Sequence, residues 1–224
     1  MMAEASLGQK SLVEALGTFV LTFIGAGSII ATQGNTLIVI ALAHGIALAI
    51  AVTAAMNISG GHINPAVTLG MLATRKITVR HAAVYIVAQV AGAIIAGYLL
   101  MALYPTAMGN AVHWGTPGLG PDTSVAQGIL FEAVMAFILV FAVFGTAVDP
   151  RHPKVGGFGV GLAIAIDIMA GGPYTGAAMN PARAIGPAIA SLDFTNWYVY
   201  WIGPILGAVI AALLYNYVIL KNQN

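Results

Sequence analysis

From Ala15 to Thr74 the chain runs for 60 residues without one Asp, Glu, Lys or Arg. Soluble domains carry charge on roughly a quarter of their residues, so no ordinary water-facing fold accommodates such a stretch. It is long enough for two membrane helices of about 20 residues each, with a remainder. The rest of the chain has the same character: 15 charged residues among 224, with 59% hydrophobic. That composition can neither coat a globule with polar groups nor keep a chain disordered. The implied solvent is the lipid bilayer. A net charge of +1 offers nothing to attract nucleic acid. The absence of Cys removes disulfides, thiolate catalysis and Cys-ligated metals, and no cofactor is expected. The polar lead before Ser11, with Glu4 and Lys10, has no apolar core and is not read as a cleaved signal peptide.

Six spans are predicted, at about 11–33, 37–57, 81–102, 126–147, 156–172 and 197–220. Their apolar runs are continuous rather than alternating, so they read as helices and not as barrel strands. With the N-terminus inside, the cytoplasmic segments hold Lys10, Arg75, Lys76, Arg80, Arg151, Lys154 and Lys221, seven of the eight positive residues. The outside loops hold only Arg183. This positive-inside pattern predicts a multi-pass protein of the cell membrane with both termini cytoplasmic.

The chain repeats itself. Glu14-Ala15, Phe19, Phe23 and Gly27 match Glu132-Ala133, Phe137, Phe141 and Gly145 at an offset of 118. Gly45, Gly60 and Asn64-Pro65-Ala66 match Gly161, Gly176 and Asn180-Pro181-Ala182 at 116, and Tyr85, Gly92 and Ala93 match Tyr200, Gly207 and Ala208 at 115. The channel is read as one domain over 1–224, with a first repeat at about 11–102 and a second at about 126–220. Three spans per repeat make the copies inverted, with a pseudo-twofold axis in the membrane plane and the functional site on it.

The apolar remainders, about 65–74 and 181–191, are too short to span. Each follows a Gly-rich stretch, Ser59-Gly60-Gly61 in one half and Gly171-Gly172-Pro173 with Gly176 in the other. Each begins with Asn-Pro-Ala. Asn is a strong N-cap and Pro is favoured at the first helical position. Each motif therefore reads as the start of a half-helix dipping into the membrane, which is tolerated only when it is buried in protein or lines a watery cavity. Inversion points the two N-termini at each other, each with about half a positive charge. The side-chain NH2 groups of Asn64 and Asn180 are expected to donate into the cavity. One such motif is an ordinary cap; two copies, each 48–50 residues after a matching Glu, are not.

Ser59-Gly60-Gly61-His62-Ile63-Asn64-Pro65-Ala66-Val67-Thr68-Leu69-Gly70 and Thr175-Gly176-Ala177-Ala178-Met179-Asn180-Pro181-Ala182-Arg183 resemble the two signatures of the aquaporin, or major intrinsic protein, family. The resemblance covers essentially the whole chain. It implies an all-α membrane fold of six transmembrane helices plus two half-helices meeting at the midplane, assembled as a homotetramer with one pore per monomer. An Arg inside a membrane segment is a functional-site candidate by default. The resemblance makes Arg183 one of four filter residues. Spacing to the two Asn places the others at His44, Ile168 and Ala177. This set departs from strict water pores and from glycerol facilitators, and looks most like plant tonoplast intrinsic proteins and some archaeal aquaporins. Ala184 and Ala188 stand where facilitators carry Asp and a basic residue, and Tyr200-Trp201 fits the aromatic pair of water channels. The stretch from Asn180 to Asp193 leaves no room for the facilitators' long insertion. Water is the expected solute, with small neutral molecules such as ammonia; glycerol passage is the alternative.

Other residues carry weaker signals. Glu14 and Glu132 occupy equivalent places, which argues for a structural task. The resemblance implies that they accept hydrogen bonds from the half-helix loops. His62 reads either as a pH sensor or, preferably, as a bonding partner of loop backbone. His113 reads as a loop residue that could lean over the outer mouth. Asp167, beside Ile168, could line the vestibule or pair at a subunit contact. A coupled transporter would need carboxylates around the site. An enzyme would need a Ser/His/Asp set, paired catalytic carboxylates or clustered His, whereas His44, His62, His81, His113 and His152 are scattered.

Overall fold

The computed structural model describes residues 5–151 and 153–220; Glu4, His152 and Lys221 lie outside them. In order come α1 (Leu7–Thr32), α2 (Leu37–Ala55), α3 (Pro65–Ala73), α4 (Val79–Leu103) and the short α5 (Thr106–Ala111), followed by a 3-10 turn at His113–Gly115. Then follow α6 (Val125–Val143), α7 (Phe158–Thr175), α8 (Pro181–Ser191) and α9 (Val199–Leu214), with π-helical turns ending α6 at Phe144–Val148 and α9 at Tyr215–Ile219. Six of these helices are long and apolar enough to cross a membrane: α1, α2, α4, α6, α7 and α9. No strand occurs among the described residues. Leu12, Ile46, Val87, Leu130 and Ile166 are exposed on the spanning helices. Such all-round apolarity is that of helices immersed in lipid.

The two copies match down to their caps. Ser6 caps α1 with Gln9 reaching back, and Ser124 caps α6 with Gln127 reaching back. These paired boxes satisfy otherwise orphaned N–H groups at both helix starts. Helix α1 packs on α4 and α6 on α9, while α2 packs on α7 across the pseudo-axis. The half-helices exchange partners: α3 lies against α9 of the other copy and α8 against α4. Close approach requires glycine at the equivalent crossings. A Cβ on Gly92 would collide with the Ala15 backbone, and one on Gly207 with that of Ala133.

The fifth span departs from the predicted 156–172, because α7 runs on to Thr175. Gly171 and Gly172 do not break it. Side chains of Met135 and Leu37 occupy the space where their Cβ atoms would be. Pro173 lies within the last turn of α7, and the helix ends at Gly176 in a left-handed cap.

Candidate functional site

The half-helices begin where the Asn-Pro-Ala motifs stand. Asn64 Oδ1 accepts the Ala66 N–H at 2.8 Å. Asn180 Oδ1 accepts those of Ala182 and Arg183, each at 3.1 Å. The Asn amide nitrogens are not both wholly turned to the cavity. Asn64 Nδ2 donates to the Met179 carbonyl at 2.9 Å, and Asn180 Nδ2 donates to the Ile63 carbonyl at 2.9 Å. Each amide thus spends one hydrogen on the opposite loop and retains a second. The accepting residues Ile63 and Met179 are both left-handed, at φ 55 and 49. That conformation is an outlier for a β-branched side chain and persists only where the surroundings fix it.

Those surroundings are the two buried glutamates. Glu14 Oε1 accepts from Ser59 Oγ at 2.6 Å and the His62 N–H at 2.9 Å; its Oε2 accepts from the Ile63 N–H at 2.6 Å and Gln89 Nε2 at 2.7 Å. Glu132 repeats the pattern with Thr175 Oγ1 at 2.8 Å, the Ala178 N–H at 2.9 Å and the Met179 N–H at 2.7 Å. Tyr85 and Tyr200 add equivalent bonds to the carbonyls of Ser59 and Thr175, at 3.0 and 2.9 Å. A carboxylate without water needs several donors; here the loops supply them. Neither tyrosine hydroxyl nor Gln89 was singled out in the sequence for this task. The matched positions of Tyr85 and Tyr200 in the repeat were the available signal; Gln89 has no such match, since Pro204 stands at the equivalent place.

His62 differs from its expected bond to loop backbone. Its Nδ1 lies 3.1 Å from Thr68 Oγ1 on α3, and its ring meets Tyr85 edge-on. It lines a cavity that reaches Asn64 and Asn180 between apolar walls such as Leu21, Leu48 and Ile164. It also borders a second cavity holding Lys10, Lys76 and His81, at the cation-bearing end.

Arg183 and His44 are brought together although they are 139 residues apart. Arg183 Nε lies 3.3 Å and Nη2 3.1 Å from His44 Nε2. His44 Nδ1 lies 2.8 Å from the Ile40 carbonyl. A carbonyl only accepts and a guanidinium only donates, so His44 carries its proton on Nδ1 and is neutral. The pair contributes one positive charge, that of Arg183. A third bond, from Arg183 Nη1 to the Gly115 carbonyl at 2.8 Å, ends on a loop in which the sequence marks His113 but not Gly115. Arg183 is 1% exposed, which excludes a side chain reaching out to the interface. Ile168 and Ala177 are buried in one apolar cluster with Met135.

Two acids stand apart. Asp167 is buried on α7, and its Oδ2 has no hydrogen-bond partner. Asp193, beyond α8, lies 2.9 Å from His113 Nδ1. Its bonds with Thr195, and then that with His113, hold its carboxyl below the usual range. No cluster of three or more His, Cys, Asp or Glu suited to a metal occurs among the described residues.

Six membrane-crossing helices and two half-helices meeting cap to cap define a transmembrane channel of the aquaporin kind. Residues 1–215 match the family described as Major intrinsic protein. Aquaporin TIP4-4 of Zea mays is 42% identical over 226 residues, covering 96% of this chain and 88% of its own. Probable aquaporin TIP3-2 of Arabidopsis thaliana is 41% identical over 240 residues, covering 96% and 85%. The solved aquaglyceroporin from Plasmodium falciparum superposes with a TM-score of 0.86 at 26% identity, covering 96% of this chain and 98% of that one. The chain belongs to the major intrinsic protein family, and its TIP-type relatives agree with the resemblance read from the sequence.

Proposed function

We propose that the chain is a passive water channel that also admits small neutral solutes such as ammonia and excludes protons and ions. The observation that carries this reading is the reciprocal pair of bonds from Asn64 to Met179 and from Asn180 to Ile63. It sets two half-helix N-termini face to face, each with roughly half a positive charge. One N–H of each Asn remains for a water oxygen. A water accepting from both turns its hydrogens away from the waist, and cations meet a positive field there. Lining donors, an Arg and half-helix dipoles are the means by which pores of this kind exclude protons.

The second constriction is assigned to His44, Ile168, Ala177 and Arg183. Arg183 and neutral His44 form its polar wall, while Ile168 and Ala177 offer a small apolar one. This supports a filter somewhat wider and less polar than a strict water pore, hence ammonia. Ala184, Ala188 and the short connection to Asp193 argue against glycerol as the main solute. Seven of eight Lys and Arg on one side support a cell-membrane protein with both termini cytoplasmic. We also propose the homotetramer of the family as its assembly.

Proteoliposomes carrying an internal pH dye test the finer claim. An ammonia gradient should alkalinise them faster than protein-free vesicles. Equal rates would overturn ammonia passage.

A further inference from the structure

The turn His113–Gly115 is left-handed throughout, at φ 49, 55 and 74. Two of its three residues are not glycine, and L-residues meet a steric penalty in that region. Such a turn survives only where its surroundings over-determine it. Three contacts do so. The Trp114 ring is buried, and its Nε1 donates to Asn110 Oδ1 at 2.8 Å. The Gly115 carbonyl accepts from Arg183 Nη1 at 2.8 Å. His113 Nδ1 lies 2.9 Å from Asp193 Oδ2.

The third contact closes a loop through the second half-helix. Arg183 stands in the first turn of α8, and Asp193 lies two residues past its last, just beyond the Leu192 cap, with its N–H on the Ala188 carbonyl at 3.0 Å. The turn is therefore tied to both ends of α8: by Gly115 to the start and by His113 to the finish. We propose that the His113–Asp193 pair is a latch that positions the filter arginine by holding the Gly115 carbonyl against it. This rests on the reading of Arg183 as a filter residue. With both anchors in place, the guanidinium is fixed by His44 on one side and Gly115 on the other. With the latch open, the Gly115 carbonyl draws back, and the guanidinium pivots on His44 alone. The constriction then admits larger neutral solutes. His113 and Asp193 act through Gly115 and are positioning residues.

The test is the ratio of glycerol to water permeability in proteoliposomes, each taken after subtracting the protein-free rate, so that the ratio does not depend on how much folded channel is present. His113→Ala and Asp193→Ala should each raise it about two- to fivefold, the range open to a side-chain pair at a solvent-facing loop. The double variant should go no further than either single one. Asp193→Glu, which keeps the carboxylate, should stay near wild type. Arg183→Ala should exceed them all. A raised ratio in Arg183→Ala with no change in the His113 and Asp193 variants overturns the latch and leaves the filter standing. So does a double variant equal to the product of the singles, or an Asp193→Glu ratio as high as that of Asp193→Ala. No change in Arg183→Ala overturns the filter reading, and the latch with it.

Discussion

Asn64 and Asn180 each donate from the side-chain amide to the carbonyl just before the other's cap, Met179 and Ile63, at the same distance of 2.9 Å. The pair joins the two half-helices and fixes which way each amide faces. Cap, link and lumen donor are combined in one side chain in each copy.

Replacing Asn180 by Asp separates these tasks. The carboxylate still caps Ala182 and Arg183, so the half-helix keeps its start. It cannot donate to Ile63, and it puts a negative charge where the two positive helix ends meet. Water permeability should fall, and proton or potassium leak should rise above that of protein-free vesicles, read with an internal pH dye.

Glu14 and Glu132 differ in the donors they hold. Four groups converge on Glu14 and three on Glu132. Glu→Gln at either position turns one acceptor into a donor facing donors. Bonds to a charged group are worth about 1.5–3 kcal/mol each, so each change should cost about 3 kcal/mol. Melting in detergent should drop for both variants and drop further for Glu14→Gln. Water permeability per folded channel should change little.

Mercurials should not block the wild-type pore, which contains no Cys. Ala177→Cys puts a thiol at the assigned constriction, and mercury should then abolish most of the water flux, with recovery on adding a thiol reductant. A channel that stays insensitive would remove Ala177 from the filter.

Acid should act at the loop after α6. Arg151, first through its hydrogen bonds, holds Asp149 well below the usual carboxylate range. Tyr215 adds a bond from its hydroxyl to Asp149 Oδ2 at 3.2 Å. Because the folded-state value is depressed, the stabilisation is fully present above the unfolded value near 4 and is lost as pH falls below it. Asp149→Asn should lower the melting temperature at pH 7 and flatten its fall between pH 5 and pH 3, by about those bounds.

The spans and half-helices were legible because lipid leaves a chain few choices. Charge-free runs set the helices, and Asn-Pro set the two starts within a residue of α3 and α8. The inverted order followed from three spans per repeat. Less legible was anything made by backbone. The Gly115 carbonyl on Arg183 depends on three left-handed residues, and no side-chain pattern announces them. Gly171-Gly172-Pro173 read as a breaker because local propensity favours one. Packing against Met135 and Leu37 instead keeps α7 helical to Thr175. His62 was expected on loop backbone, but Glu14 already takes the loop N–H groups, leaving the ring to Thr68.

Stopped-flow light scattering of proteoliposomes, under a water gradient and then a glycerol gradient, tests the central claim most directly. The account predicts water flux well above protein-free vesicles, linear in the gradient and with a low activation energy, while glycerol flux stays close to the protein-free rate. Glycerol flux rising in step with water, or a saturable flux that depends on an ion gradient, would contradict it.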